Sequence, residues 1–471
     1  MELLMNKTMF REYDIRGRVS ADELNDKSVE LIAKAYGTFI HRQKNAESAV
    51  VGYDSRKCSP DFRDAVVKGL NSVGITTIDI GMVTTPVFYF SQYLLGIPYG
   101  VMITGSHNPD GWSGFKMADG FSSTLLSDDI RYLYQLVTGQ DFTSGKGQSF
   151  QFDNIKECYI SALKWRVKPK RRLRIVIDAG NGIAGKYAPQ LFRAAGFDVI
   201  EQFCELDPSF PHHFPNPSDL SSLEMLKEKT LREQADLGMA IDGDGDRLGV
   251  IDDKGNVIPS DRLLMLLSRQ ILEKNPGSKI VFDVKCSNAL INDIKERGGV
   301  PVMWKTGHSY IKQRIREEKA AIGGEHSGHI FIVDNFYAFD DALFSGLRLA
   351  EYLSYQSLPL SEILKQGKQY YSSPNIQVPC PDEKKYQVID GIIKDFQEEL
   401  GEENVITING ARVNLSNGWG LVRASSNVPS LVAMLEAETK EDYLNIKKIL
   451  REKIEKYPGV SKKWENDIDP F

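Results

Sequence analysis

A short β-branched run that ends in aspartate occurs three times in this chain: "AVVGYDSR" (49–56), "RIVIDAGNG" (174–182) and "KIVFDVKCSN" (279–288). Runs of this length and composition read as strands buried on both faces of a parallel sheet. Each leads into a helix-like segment, then a glycine turn and a second strand: "SVGITTIDIG", "AAGFDVIEQF" and "RGGVPVMWKTG". The strand-ending aspartates and turn glycines keep similar spacings, Asp54 to Gly74, Asp178 to Gly196 and Asp283 to Gly298. A βαβ unit repeated three times predicts three similar α/β domains. The length of 471 residues agrees, since domains usually hold ~100–150 residues.

A third strand follows in each copy and runs into a polar motif. The three are "GVMITGSHNP" (100–109), "LGMAIDGDGDR" (237–247) and "AAIGGEHSGH" (320–329). Chemistry in such sheets gathers at the carboxyl ends of strands, so the three motifs are expected to share one central cleft. The last hundred residues differ. "VITINGARVNL", "GWGLVRAS" and "SLVAMLEAE" predict strands joined by short turns, and 440–457 has helical periodicity. The expected architecture is three similar mixed α/β domains (1–153, 154–256, 257–368) plus a C-terminal α+β domain with an antiparallel sheet (369–471). Segments 168–172 and 366–375 read as linkers.

In the second motif Asp242, Asp244 and Asp246 alternate with glycines after an apolar strand. Three carboxylates so close repel one another unless a cation sits among them. Oxygen-only ligands favour Mg²⁺ or Ca²⁺ over zinc. An EF-hand loop is excluded, because Arg247 stands where that loop needs glycine and the flanks read as strands. Arg247 beside the carboxylates also suggests a bound anion such as phosphate.

In the first motif Gly105 is expected to permit a sharp turn that pushes the Ser106 hydroxyl outward, while Pro109 stops the strand. Thr104 and Asn108 occupy the glycine positions of a hydrolase elbow and exclude that family. Lys116 lies ten residues on, within reach as a point charge. In the third motif Glu325 and Ser327 suit two vicinal hydroxyls, as on a sugar. "RASSNVP" (423–429) combines an arginine with small hydrogen-bonding side chains and suits a phosphate dianion.

Several classes are excluded or made remote. A net charge of −6 argues against a general nucleic-acid binder. No apolar run approaches the ~20 residues that span a bilayer, and the start has no signal-peptide stretch. Five scattered cysteines suit a reducing compartment, with the cytoplasm as the expectation.

The order Y-D-I-R-G, T-G-S-H-N-P, D-G-D-G-D-R, G-E-x-S-G-H, then R-x-S resembles the α-D-phosphohexomutases, above all their phosphomannomutase/phosphoglucomutase branch. The likeness runs from about Phe10 to about Tyr457. It implies an isomerase that moves phosphate between C1 and C6 of a hexose through a phosphoserine and a 1,6-bisphosphate. Ser106 would carry the phosphoryl group. Asp242, Asp244 and Asp246 would hold one Mg²⁺, completed by a phosphoserine oxygen. Arg16, His107, Lys116 and Arg247 would surround the phosphoryl. Tyr13, Lys285, Gly307, His308 and His329 would face the sugar, with His329 transferring a proton. Glu325 and Ser327 would bind O3 and O4. Arg423, Ser425, Ser426 and Asn427 would grip the non-reacting phosphate.

The resemblance also implies a hexose 1,6-bisphosphate activator, a small-molecule phosphosugar partner, and a monomer or dimer. One departure stands out: the family often reads R-x-S-N-T or R-x-S-G-T in its last loop, and this chain reads Arg423-Ala424-Ser425-Ser426-Asn427. The alternatives are a phosphoglucosamine mutase, disfavoured because His326 replaces the usual Gln, and a non-catalytic phosphosugar-binding protein, which would be expected to have lost Ser106 or an aspartate of the triad.

Overall fold

The computed structural model describes residues 5–425 and 428–471. The three β-branched runs form the strands Ser48–Tyr53, Arg174–Asp178 and Lys279–Asp283, each inside a separate sheet. Each is flanked in parallel by the next two strands of its own repeat. In the first repeat these are Thr76–Met82 and Tyr99–Ile103. In the second they are Asp198–Gln202 and Leu237–Ile241. In the third they are Val300–Trp304 and Ile322–Gly324. The turn glycines Gly74, Gly196 and Gly298 all have positive φ, 94°, 99° and 74°. They follow the helices Ser59–Ser72, Ala188–Ala194 and Asn288–Glu296, where a left-handed residue ends the helix at little steric cost.

In every repeat the third strand then doubles back on an antiparallel partner: Trp112–Gly120, Leu248–Asp252 and Ile330–Ile332. Each polar motif is therefore the turn of a hairpin, and the sheets are mixed. The C-terminal sheet is antiparallel throughout. The helices Asp382–Leu400 and Lys440–Glu455 accompany it. Segment 366–375 is only partly a connector: Tyr371–Ser372 is an edge strand paired with the strand Ser430–Ala437, so the C-terminal sheet begins inside it.

One hydrophobic core runs through all three repeats, from Val50 and Met102 through Ile175 and Ile177 to Ile280 and Phe282. The C-terminal domain has a core of its own around Ile376, Phe396, Val413 and Leu450. It meets the third repeat through Trp419, Leu421 and Val432 packed on Val284. There the buried Arg412 donates to the carbonyls of Val284 and Cys286 at 2.5 and 2.8 Å, gripping the backbone on either side of Lys285.

Candidate active site

The hairpin turns of the first two repeats meet face to face. The Ser106 hydroxyl is buried and lies 3.2 Å from Asp242 Oδ2 and 3.2 Å from His107 Nδ1. The left-handed conformation in this turn belongs to Ser106 itself (φ 49°) and not to Gly105. The expectation that Gly105 supplies the turn is thus corrected. Glycine is needed there for close approach, because a Cβ on Gly105 would lie 2.3 Å from Arg56 Nε. Gly243 is needed for the same reason, since its Cβ would lie 2.4 Å from the Ser106 carbonyl oxygen.

Asp242, Asp244 and Asp246 have no exposed surface, and one oxygen of each lies within 4.8 Å of the others. Asp242 Oδ1 is occupied by the backbone N–H groups of Gly245, Asp246 and Arg247, which leaves Oδ2 facing Ser106. Lys116, on the strand that leaves the serine turn, donates to Asp244 Oδ2 at 2.7 Å and also to Asp246. Asp244 Oδ1 is buried with no hydrogen-bond partner among the described residues, and Asp246 Oδ1 faces His329 Nε2 at 3.5 Å. Buried acceptors are rarely left so, and an oxygen-ligated divalent cation is the group that this donor set fits.

Electrostatics single out the same cluster. Burial, with Asp246 and Asp244 close by, pushes the Asp242 carboxyl well above the ordinary range. Burial opposes charge on Asp246 too, but Lys116 and His329 outweigh it and hold that carboxyl low. Burial, Arg247 and Arg16 keep the His107 imidazole neutral by depressing its pKa.

The third repeat closes the cluster. Arg247 and His329 form a β-bridge, and Arg247 Nε lies 3.2 Å from His329 Nε2. His329 Nδ1 lies 3.0 Å from Ser327 Oγ and 3.1 Å from Glu325 Oε2. Burial works against charge on His329, yet the Asp246 carboxylate raises its pKa to about 9. Glu325 Oε1 accepts from the Gly307 N–H at 2.6 Å, where Gly307 (φ 130°) opens the helix His308–Glu318. His308 stacks on His329 with ring centroids 5.6 Å apart, and Tyr13 meets the edge of His308 at 5.0 Å. Lys285 Nζ lies 3.3 Å from Asp283 Oδ2. Arg16 donates to Asn108 Oδ1 at 2.6 Å and pairs with Asp14 at 2.7 Å.

Arg423 and Ser425 are buried at the end of the strand Gly418–Ala424 in the C-terminal domain, where Lys385 Nζ donates to the Ser425 carbonyl at 2.5 Å. Ser426 and Asn427 lie outside the described residues.

Several residues that hold the site together are not visible as motifs. Thr85 of the first repeat donates its hydroxyl to Asp244 Oδ2 at 2.6 Å and its N–H to the Asp244 carbonyl at 2.8 Å. The strand-ending aspartates are anchors as well as repeat markers. Asp54 Oδ2 accepts from the Gly105 N–H at 3.1 Å, and Asp283 Oδ1 from the His326 N–H at 3.2 Å. Asp340, fully buried, lies 3.8 Å from each of His308, His329 and Lys312.

Comparison with known proteins covers nearly the whole chain. Residues 7–144, 152–255 and 259–371 match alpha/beta/alpha domains I, II and III of phosphoglucomutase/phosphomannomutase, and 376–453 match its C-terminal domain. A phosphomannomutase/phosphoglucomutase of Pseudomonas syringae is 40% identical over 96% of each chain. A phosphoglucomutase of Neisseria gonorrhoeae is 39% identical, covering 97% of this chain and 98% of its own. The crystal structure of a phosphoglucomutase/phosphomannomutase family protein from Burkholderia thailandensis superposes with a TM-score of 0.91, at 35% identity over 99% of this chain and 100% of that one.

Proposed function

This chain belongs to the phosphoglucomutase/phosphomannomutase family and is a hexose phosphate mutase, and on that premise we propose how its residues divide the work. Ser106 carries a phosphoryl group and passes it to the free hydroxyl of a hexose 1-phosphate. The resulting 1,6-bisphosphate turns in the cleft and returns its other phosphate to Ser106, so that phosphate has moved between C1 and C6. The observation that carries this reading is the buried Ser106 hydroxyl 3.2 Å from an aspartate of the triad. Phosphoryl transfer asks little of the protein beyond alignment and charge neutralisation.

Asp242, Asp244 and Asp246 would hold Mg²⁺, whose charge offsets that of the phosphoryl oxygens. Arg16, Lys116, Arg247 and His107 surround the transferred group. His329 is the group proposed for proton transfer with the sugar hydroxyl. Glu325 and Ser327 bind O3 and O4, with Tyr13, Lys285, Gly307 and His308 lining the sugar. Arg423 and Ser425, with Ser426 and Asn427, hold the phosphate that is not reacting. Hexose 1,6-bisphosphate serves as activator by reloading Ser106. Mannose and glucose phosphates are the proposed substrates, and His326 in the sugar loop speaks against glucosamine phosphate.

The domain limits we propose are 1–153, 154–256, 257–368 and 369–471. One chain carries every assigned group, so a monomer suffices for the chemistry and a dimer is compatible with it. No helix among the described residues is long and apolar enough to cross a membrane, and the free cysteines suit a cytoplasmic setting.

Mass spectrometry of the purified protein, with a mutase assay before and after chelation, tests the reading. Phosphate on Ser106 and a metal-dependent rate are expected. An unmodified serine that hexose 1,6-bisphosphate cannot phosphorylate would refute it.

A further inference from the structure

The serine turn is held from behind by one guanidinium. Arg56 is 4% exposed. Its Nη2 donates to the carbonyls of Ser106 and Asn108 at 2.8 and 2.5 Å. Its Nη1 donates to those of Pro109 and Trp112 at 2.8 and 3.1 Å. Four carbonyls of one turn thus converge on a single planar fork. Lysine offers no such geometry, since its donors leave one compact ammonium. Asp54 fixes the base of the fork, with Oδ2 3.3 Å from Arg56 Nε and 3.1 Å from the Gly105 N–H it also accepts. The other face of the guanidinium lies over the Phe210 ring, 5.3 Å from its centroid. Phe210 is buried and comes from the second repeat, in a loop tied down by the His213–Asp178 contacts at 3.2 Å.

This arrangement accounts for two oddities of the turn. Gly105 is glycine because the fork lies where a Cβ would be. Ser106 stays left-handed, uncommon for a residue with a side chain, because its carbonyl is drawn to Arg56 while Gly243 packs against the same oxygen. We propose that Arg56, seated on Phe210, is a positioning residue that sets the backbone of the serine turn and so aims Ser106 Oγ at the aspartate triad. The hydrogen bonds and ion pair of Arg56 go to the serine turn and Asp54, not to Asp242 or the sugar-loop residues, so its influence on turnover passes through the turn. The inference rests on Ser106 being the phosphoryl carrier.

The test compares Arg56→Lys, Arg56→Ala and Phe210→Leu with wild type. Loading of Ser106 from hexose 1,6-bisphosphate is followed by intact mass, kcat by steady-state assay, hexose 1-phosphate affinity by calorimetry, and folding by thermal melts. Displacing a reacting atom by about 1 Å can lower a rate about a hundredfold. Arg56→Lys is therefore expected to load and turn over about a hundredfold more slowly, with affinity within about threefold. Phe210→Leu should slow both steps about tenfold, and it carries the test if an Arg56 variant fails to fold. Methylguanidinium added to folded Arg56→Ala should restore at least about tenfold.

Loading and kcat of Arg56→Lys within about threefold of wild type would overturn the assignment. So would a kcat loss matched by an equal loss of sugar affinity, or Phe210→Leu turnover unchanged. If wild-type Ser106 accepts no phosphoryl group, the carrier reading itself fails. If wild type loads and the variants load equally fast, only the role of Arg56 fails.

Discussion

Ser106 of the first repeat and Asp242 of the second meet across 3.2 Å, so the serine and the aspartate triad follow strands of different sheets. Ser106→Ala should lower turnover by at least about a thousandfold, as loss of a nucleophile does elsewhere. On the carrier role proposed for this serine, hexose phosphate binding should survive. Rate and calorimetric affinity measured on one preparation check this, and near-normal turnover would remove Ser106 from the chemistry.

The unpartnered Asp244 Oδ1 within the buried aspartate triad gives a metal prediction that does not depend on activity. Mg²⁺ at a hundred times its dissociation constant should add about 2.7 kcal/mol to the unfolding free energy. A chelator should reverse the gain, and Asp244→Asn should lose most of it. Denaturant titrations with and without Mg²⁺ decide the point; equal curves for wild type would mean that the folded chain binds no Mg²⁺, and a full gain in Asp244→Asn would place the cation elsewhere.

Arg423→Ala should act mainly on binding. A charge-assisted bond to phosphate contributes about 1.5–3 kcal/mol, so affinity should fall by one to two orders of magnitude. Unchanged affinity for a hexose phosphate would contradict the assignment of that loop.

Lys312 gives a pH signature. It has no exposed surface, donates to the Tyr89 hydroxyl at 2.9 Å, and burial lowers its pKa from 10.5 to about 8 despite Asp340 nearby. Between those values the unfolded chain binds more protons than the folded one, so stability from this group rises with pH. The rise is on the order of 3 kcal/mol. Urea midpoints from pH 7.5 to 10.5 should show it in wild type and lose it in Lys312→Met. Parallel curves for the two proteins would mean that Lys312 is not titrating in this window.

Substrate choice follows from what the sugar loop reads. Glu325 and Ser327 are assigned to O3 and O4, where glucose and mannose are identical, and no motif supplies a reader for C2. A site rejects an isomer strongly only when buried polar groups would be left unpaired. The two 1-phosphates should therefore have kcat/KM values within about tenfold, ~1.4 kcal/mol. Glucosamine 1-phosphate should be poorer, because its ammonium must be desolvated. A preference above about a hundredfold between the neutral sugars would reveal a C2 contact.

The repeat was legible because its signals are local. Three β-branched runs, their aspartates and the glycines at 74, 196 and 298 each report on a few neighbouring residues. The polar motifs were legible for the same reason, being uninterrupted turns at strand ends. What escaped was action at a distance in sequence. Arg56 grips carbonyls some fifty positions away, Thr85 reaches Asp244 across 159, and Lys312 reaches Tyr89 across 223. Nothing near Thr85 or Lys312 marks either as a partner of the site. The left-handed Ser106 escaped because glycine next to it is the ordinary choice for such a backbone, and only the packing of Arg56 shows why glycine sits one position earlier.

The shared core of the three repeats has a consequence for how such a chain changes over time. Val50, Ile177 and Phe282 belong to one apolar cluster, so a change along that seam bears on more than one copy. Each copy also keeps a buried apolar cluster of its own, where it can change alone. The C-terminal domain keeps its own core and touches the third repeat through a small apolar patch, Arg412 and hydrogen bonds that include Asn288 N–H to Glu436 and Thr306 N–H to Asn409. It can be revised separately, and Arg423-Ala424-Ser425-Ser426-Asn427, the one motif that leaves the family pattern, lies there. Divergence among relatives should concentrate in that loop, where a substitution leaves the serine turn, the triad and the Glu325–His329 turn in place.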